Sequence, residues 1–106
     1  MIDVTDRNFK SEVLKSEEPV IIDFWAPWCT PCTVMEGPFE ELSEKYEGKI
    51  KFTRCNVDEN GLLAGNFNVR SIPQFITFDK GNMMDVVIGM TSKNKLDETL
   101  KKMLVA

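Results

Sequence analysis

The chain has 106 residues, 42% of them apolar, which is enough for one compact domain burying about two-thirds of its unfolded surface and leaves no room for a second. Thirteen Lys and Arg against 17 Asp and Glu give a net charge of −4, so no excess of cations awaits phosphate and no nucleic-acid partner is expected. With no histidine, His-dependent triads, HExxH metalloproteases and imidazole zinc sites are excluded, and three cysteines are too few for an all-thiolate zinc site within one chain.

Met1-Ile2-Asp3 opens without the basic and apolar regions of a signal peptide, and no stretch approaches the ~18 uncharged apolar residues of a membrane span, which predicts a soluble cytoplasmic protein with no membrane partner. Ile2 and Val4 alternate as a short strand would. Thr5 or Asp6 can cap a following helix that presents Phe9, Val13 and Leu14 and ends before Pro19. Val20 to Trp25 is apolar apart from Asp23 and reads as a strand buried on both faces. After Pro27, the recurrence of Met35, Phe39, Leu42 and Tyr46 predicts a helix, kinked by Pro38 and stopped by Gly48. Ile50 to Val57 is the next strand, followed by a brief helix over Asn60 to Phe67. Phe75 to Phe78 and Met84 to Ile88 flank the turn-rich Asp79-Lys80-Gly81-Asn82 as an antiparallel hairpin, with Met83 and Met84 packing within it. A final helix, capped by Thr91 or Ser92, presents Leu96, Leu100, Met103 and Leu104. The order β-α-β-α-β-α-β-β-α predicts a mixed sheet with helices on both faces, parallel first and closed by an antiparallel edge.

Trp28-Cys29-Thr30-Pro31-Cys32 places two thiols where a strand has ended and a helix begins. Unpaired N–H groups and the positive end of the helix dipole stabilise a thiolate on Cys29 in the first turn. Cys32 lies one turn deeper. A Cys29 thiolate can attack a substrate disulfide, and Cys32 can resolve the mixed disulfide by attacking Cys29. Half of a zinc ribbon has the same spacing, but the only other thiol is Cys55, which leaves a metal only as a bridge between chains. An inert core pair is the remaining alternative.

The chain closely resembles the thioredoxin family, through Asp23-Phe24-Trp25-Ala26-Pro27-Trp28-Cys29-Thr30-Pro31-Cys32, Asn56-Val57-Asp58, Val69-Arg70-Ser71-Ile72-Pro73 and Gly89, in the family's order and over essentially the whole chain. The resemblance implies an α/β thioredoxin-like fold with a central mixed five-stranded sheet, formed by residues 1–106 as a single domain. It also implies a monomeric protein-disulfide reductase with no cofactor beyond the Cys29–Cys32 pair, recharged by a thioredoxin reductase and acting on disulfide-containing proteins. Two departures stand out. Thr30 occupies the place of the family's usual glycine between the cysteines, and Pro38 lies one residue beyond the usual proline, where Gly37 stands.

Alternation puts Asp23 on one strand face with Ile21 and Trp25. Burial there raises a carboxyl's pKa, which suits a proton acceptor, and the resemblance implies that it serves Cys32; an exposed edge-strand aspartate is the plainer alternative. Arg54, where the family usually has lysine, is either a fixed positive field beside Asp23 or a solvated strand residue. Proline is tolerated at a strand start, so Ile72 and Pro73 are expected to begin the fourth strand. The ordinary base rate of about 5–6% favours a trans bond, whereas the resemblance implies a cis Ile72–Pro73 bond against the cysteines. Substrate chains would then pair with this loop, with Trp28, Val57, Ile72 and Ile88 as an apolar rim, Thr30 and Pro31 between the thiols and Gly89 leaving space. Each apolar residue taken alone reads equally as core. The Thr30 hydroxyl can accept a helix-start N–H or donate to a sulfur. Cys55 reads as an inert buried thiol, and Glu36, Glu40, Glu41 and Glu44 as a solvated helix face. A disulfide oxidase or isomerase of an oxidising compartment, and a scaffold or binding module without redox chemistry, are the competing functions.

Overall fold

A computed structural model describes residues 1–105; Ala106, the last residue of the expected domain, lies outside the described residues. The strands are β1 (Ile2–Asp3), β2 (Val20–Trp25), β3 (Lys51–Asn56), β4 (Gln74–Asp79) and β5 (Asn82–Ile88). They form one sheet in the order β1-β3-β2-β4-β5. The first three run parallel, while β4 is antiparallel to β2 and to β5. Three helices, α1 (Thr30–Lys45), α2 (Gly61–Asn66) and α3 (Lys93–Met103), and a five-residue π-helical turn at Lys10–Leu14 complete the expected element order.

Strand alternation divides the core in two. Ile21, Phe52 and Phe75 pack with Met35, Phe39 and Leu42 of α1 and Leu96, Leu100 and Met103 of α3. On the opposite face, Val20, Ile22, Phe24, Ile76 and Phe78 meet Val13 of the π-turn and Leu63 of α2. Helical segments thus cover both faces of a mixed five-stranded sheet. α1 runs unbroken through Pro38, whose missing N–H leaves the Val34 carbonyl without its helical partner.

Five expectations are corrected. Leu14 is exposed rather than packed beside Val13, because a segment of only five residues cannot turn both neighbours inward. Leu104 is likewise exposed, standing at the C-cap beyond the last turn of α3. Met83 and Met84 are about half exposed, since β5 is the outer strand and its register against β4 slips between Ile76 and Phe78. Asp6 does not cap the segment that follows it: Thr5 Oγ1 accepts the Asn8 N–H at 3.1 Å, whereas Asp6 Oδ1 accepts the Leu63 N–H of α2 at 3.0 Å. The hairpin turn is tighter than the four-residue reading, because Asp79 and Asn82 pair and only Lys80 and Gly81 turn, both with positive φ.

Candidate active site

β2 delivers the chain to the cysteines. Cys29 N–H donates to Ala26 O at 3.1 Å, closing the turn after the strand, and Cys29 then adopts an extended conformation as the N-cap of α1. Its sulfur takes the place that a serine or aspartate oxygen takes in other caps, accepting the Cys32 N–H at 3.2 Å. Pro31 stands in the first turn, where its missing N–H costs nothing. Cys29 and Cys32 are joined as a disulfide, and both are buried. The Thr30 hydroxyl makes neither expected contact in this disulfide form among the described residues; the helix-start N–H of Cys32 goes to the Cys29 sulfur instead.

The Ile72–Pro73 bond is cis. The Ile72 carbonyl oxygen lies 3.7 Å from Cys29 Sγ, and the Pro73 carbonyl accepts the Gly89 N–H at 2.8 Å, tying the end of β5 to the same loop. Gly89 has φ +83°, and a Cβ there would meet nothing within 4 Å, so the space beside the loop is open. Val57 and Ile72 are half-buried against Ala26, Cys29 and Cys32, while Ile88 stands exposed. Trp28 is 69% exposed yet held, its indole N–H donating to the Asp58 carboxylate at 3.0 and 3.3 Å. Asp58 is set in turn by its own N–H, which donates to Asn56 Oδ1 at 3.0 Å.

Beneath this surface Asp23 is 1% exposed, in register with Arg54 on β3 and Phe75 on β4. Neither carboxylate oxygen has a hydrogen-bond partner among the described residues, because Arg54 Nε at 3.7 Å from Oδ2 is too distant to donate. Burial pushes the Asp23 pKa from 3.8 to about 7; Arg54 opposes the shift and Glu36 adds to it. Arg54 itself lies 4.1 Å over the Trp25 ring and 3.4 Å from Glu36 Oε1. Cys55 is fully buried, and burial, with the Asp6 charge second, pushes its thiol up to about 12, leaving it protonated and unreactive at neutral pH.

Reading the sequence missed the Asp58 support of Trp28 and the reach of Glu36 to Arg54. The available signal for Glu36 was its place four residues beyond Cys32, on the same helix face.

A cysteine pair that closes into a disulfide at a helix start, with its leading sulfur capping that helix, defines a thiol–disulfide oxidoreductase. A protein-family profile described as Thioredoxin matches residues 1–102. The chain is 46% identical over 101 residues to Thioredoxin 1 of Nostoc sp., covering 95% of this chain and 94% of that protein. It matches the thioredoxin of Synechocystis sp. to the same identity and coverage. To the thioredoxin of Porphyra purpurea it is 42% identical over 99 residues, covering 93% and 92% of the two chains. The chain belongs to the thioredoxin family, and its activity is that of a thioredoxin-type protein-disulfide reductase. No helix among the described residues is long and apolar enough to cross a membrane.

Proposed function

We propose that Cys29 is the attacking thiol and Cys32 the resolving thiol of a reductant of protein disulfides, with Asp23 taking the proton from Cys32. The observation that carries this reading is the Cys32 N–H aimed at Cys29 Sγ at 3.2 Å, since a donor in that position stabilises negative charge on the leading sulfur. In the reduced protein the Cys29 thiolate attacks a substrate disulfide, forming a mixed disulfide and releasing one substrate thiolate. Cys32 then gives its proton to Asp23 and attacks Cys29. The Cys29–Cys32 bond forms, the mixed disulfide breaks, and the second substrate sulfur leaves and is protonated. The desolvated Asp23 carboxyl suits that acceptance near neutral pH. Arg54, which cannot deprotonate, contributes a fixed field.

Substrate docks on Trp28, Thr30, Pro31, Val57, Ile72, Pro73, Ile88 and Gly89. The Pro73 carbonyl is engaged by Gly89, which leaves the Ile72 carbonyl as the acceptor beside the reacting sulfur. The partners are disulfide-containing proteins and a thioredoxin reductase that restores the dithiol, with no cofactor beyond the cysteine pair. Such a cycle requires a compartment that keeps thiols reduced, so we assign the protein to the cytoplasm as a single-domain monomer.

Insulin reduction with dithiothreitol tests this reading. Accelerated precipitation of the insulin B chain, lost in Cys29→Ser, is expected; no acceleration leaves only the scaffold function. A redox titration of the pair against glutathione separates directions. A pair more reducing than glutathione supports the reductant, and one markedly more oxidising overturns it in favour of an oxidase or isomerase.

A further inference from the structure

Glu36 stands one turn beyond Cys32 on α1, so the two side chains share the face turned toward β2 and β3. Three residues hold the Arg54 guanidinium. Glu36 Oε1 is 3.4 Å from Nη2, the Trp25 ring lies 4.1 Å below the central carbon, and Asp23 Oδ2 is 3.7 Å from Nε. A guanidinium beside a buried carboxylate ordinarily presents two parallel N–H groups to it. Here the outer end of the fork goes to Glu36, and both Asp23 oxygens are left without a donor among the described residues. Across β4 Asp23 faces Phe75, which offers none. Among the described residues, the charged groups that bear on Asp23 are Arg54 and Glu36; Glu40 and Met1 line the same cleft as those two.

We propose that Glu36 is a positioning residue for proton transfer at the cysteine pair: it draws the Arg54 guanidinium outward and so keeps Asp23 a buried carboxyl without a hydrogen-bond donor, fit to receive the Cys32 proton. The proposal rests on the reading of Asp23 as that acceptor. Released from Glu36, Arg54 settles onto Asp23 and stabilises its charged form, which makes Asp23 ionise at lower pH and hold a proton less well. The half-exposed Glu36 charge itself also raises the Asp23 pKa.

Two substitutions separate reach from charge. Glu36→Gln keeps the size of the side chain while removing the charge that anchors Arg54. Glu36→Asp keeps the charge but is one methylene too short for the contact. The Asp23 carboxyl is followed by carbon-13 NMR in the oxidised full-length protein, where Cys29 and Cys32 do not titrate, and resolution of a preformed mixed disulfide is followed by single-turnover kinetics across pH. The Asp23 midpoint is expected to fall by roughly 0.5–1 pH unit in Glu36→Gln and at least half as far in Glu36→Asp. The acid limb of the rate profile is expected to move with it, so that resolution at pH 6 becomes roughly two- to threefold faster and no faster above pH 8. A merely structural glutamate would never accelerate the step. A midpoint unmoved in Glu36→Gln overturns the proposal, and one unmoved in Glu36→Asp reduces Glu36 to a charge and overturns its positioning role. A midpoint that falls while the acid limb stays in place overturns the reading of Asp23 as acceptor and, with it, this proposal.

Discussion

Asp23 and Arg54 face each other in register across β2 and β3, yet the guanidinium stops 3.7 Å short of the carboxylate and the ion pair lacks a hydrogen bond. The arrangement holds a carboxyl in an apolar layer with only partial compensation. Ionised, it destabilises the fold far more than it does when protonated.

The first prediction follows from that cost. Burial lifts the folded-state pKa from 3.8 to about 7, so between those values the folded chain binds more protons than the unfolded one and stability falls as pH rises. Below pH 4 the penalty is absent; above pH 7 it is complete. Asp23→Asn removes it, and allowing for an amide left equally unpartnered, the gain at pH 8 is roughly 2–4 kcal/mol. Urea denaturation of the oxidised protein at pH 8 and pH 4 checks this, with the stabilisation expected only at the higher pH. An equal effect at both would mean that ionisation is not the cause.

Trp28 shows how an exposed side chain is kept ready. Asp58 holds its indole N–H, so on the docking surface proposed above a substrate would meet an ordered ring. Asp58→Ala is expected to raise KM for a protein disulfide roughly three- to tenfold, the cost of ordering about one large side chain, with kcat changed much less. Steady-state insulin reduction measures both, and an unchanged KM would remove Trp28 from the docking surface.

The N-terminus of α2 is capped from far away. Asp6 Oδ1 accepts the Leu63 N–H, and the Asp6 N–H donates back to Asn60 Oδ1, so the segment after β1 and the start of α2 brace each other. Asp6→Ala is expected to destabilise the protein by about 1 kcal/mol, as loss of a cap does, and to speed hydrogen exchange at the Leu63 amide more than elsewhere in α2. Unchanged protection at Leu63 would contradict it.

What was legible in the sequence was local or periodic. The Cys29–Cys32 pair, the carboxyl interrupting β2 and the Ser92 cap, whose Oγ accepts the Lys95 N–H, each depend on neighbours a few residues away. Even the meeting of Asp23 with Arg54 needs only two strands and their parallel order. The failures depend on distant chain. Asp6 reaches a helix 57 positions along, which no local pattern reports. The exposure of Met83 and Met84 follows from β5 lying at the edge, a property of strand order rather than of the apolar run itself. Glu36 belonged to an acidic stretch that reads as solvated, and only the side-chain geometry of Arg54 separates it from Glu40 and Glu44.

The division of labour between the two thiols is the centre of the account, and trapping tests it most directly. Each single Cys→Ser variant is incubated with a protein disulfide, and the adduct is mapped by mass spectrometry. Cys32→Ser should accumulate a mixed disulfide through Cys29, because the capping sulfur still attacks and nothing resolves it, while Cys29→Ser should accumulate little. Accumulation in Cys29→Ser through Cys32, with none in Cys32→Ser, would contradict the assignment.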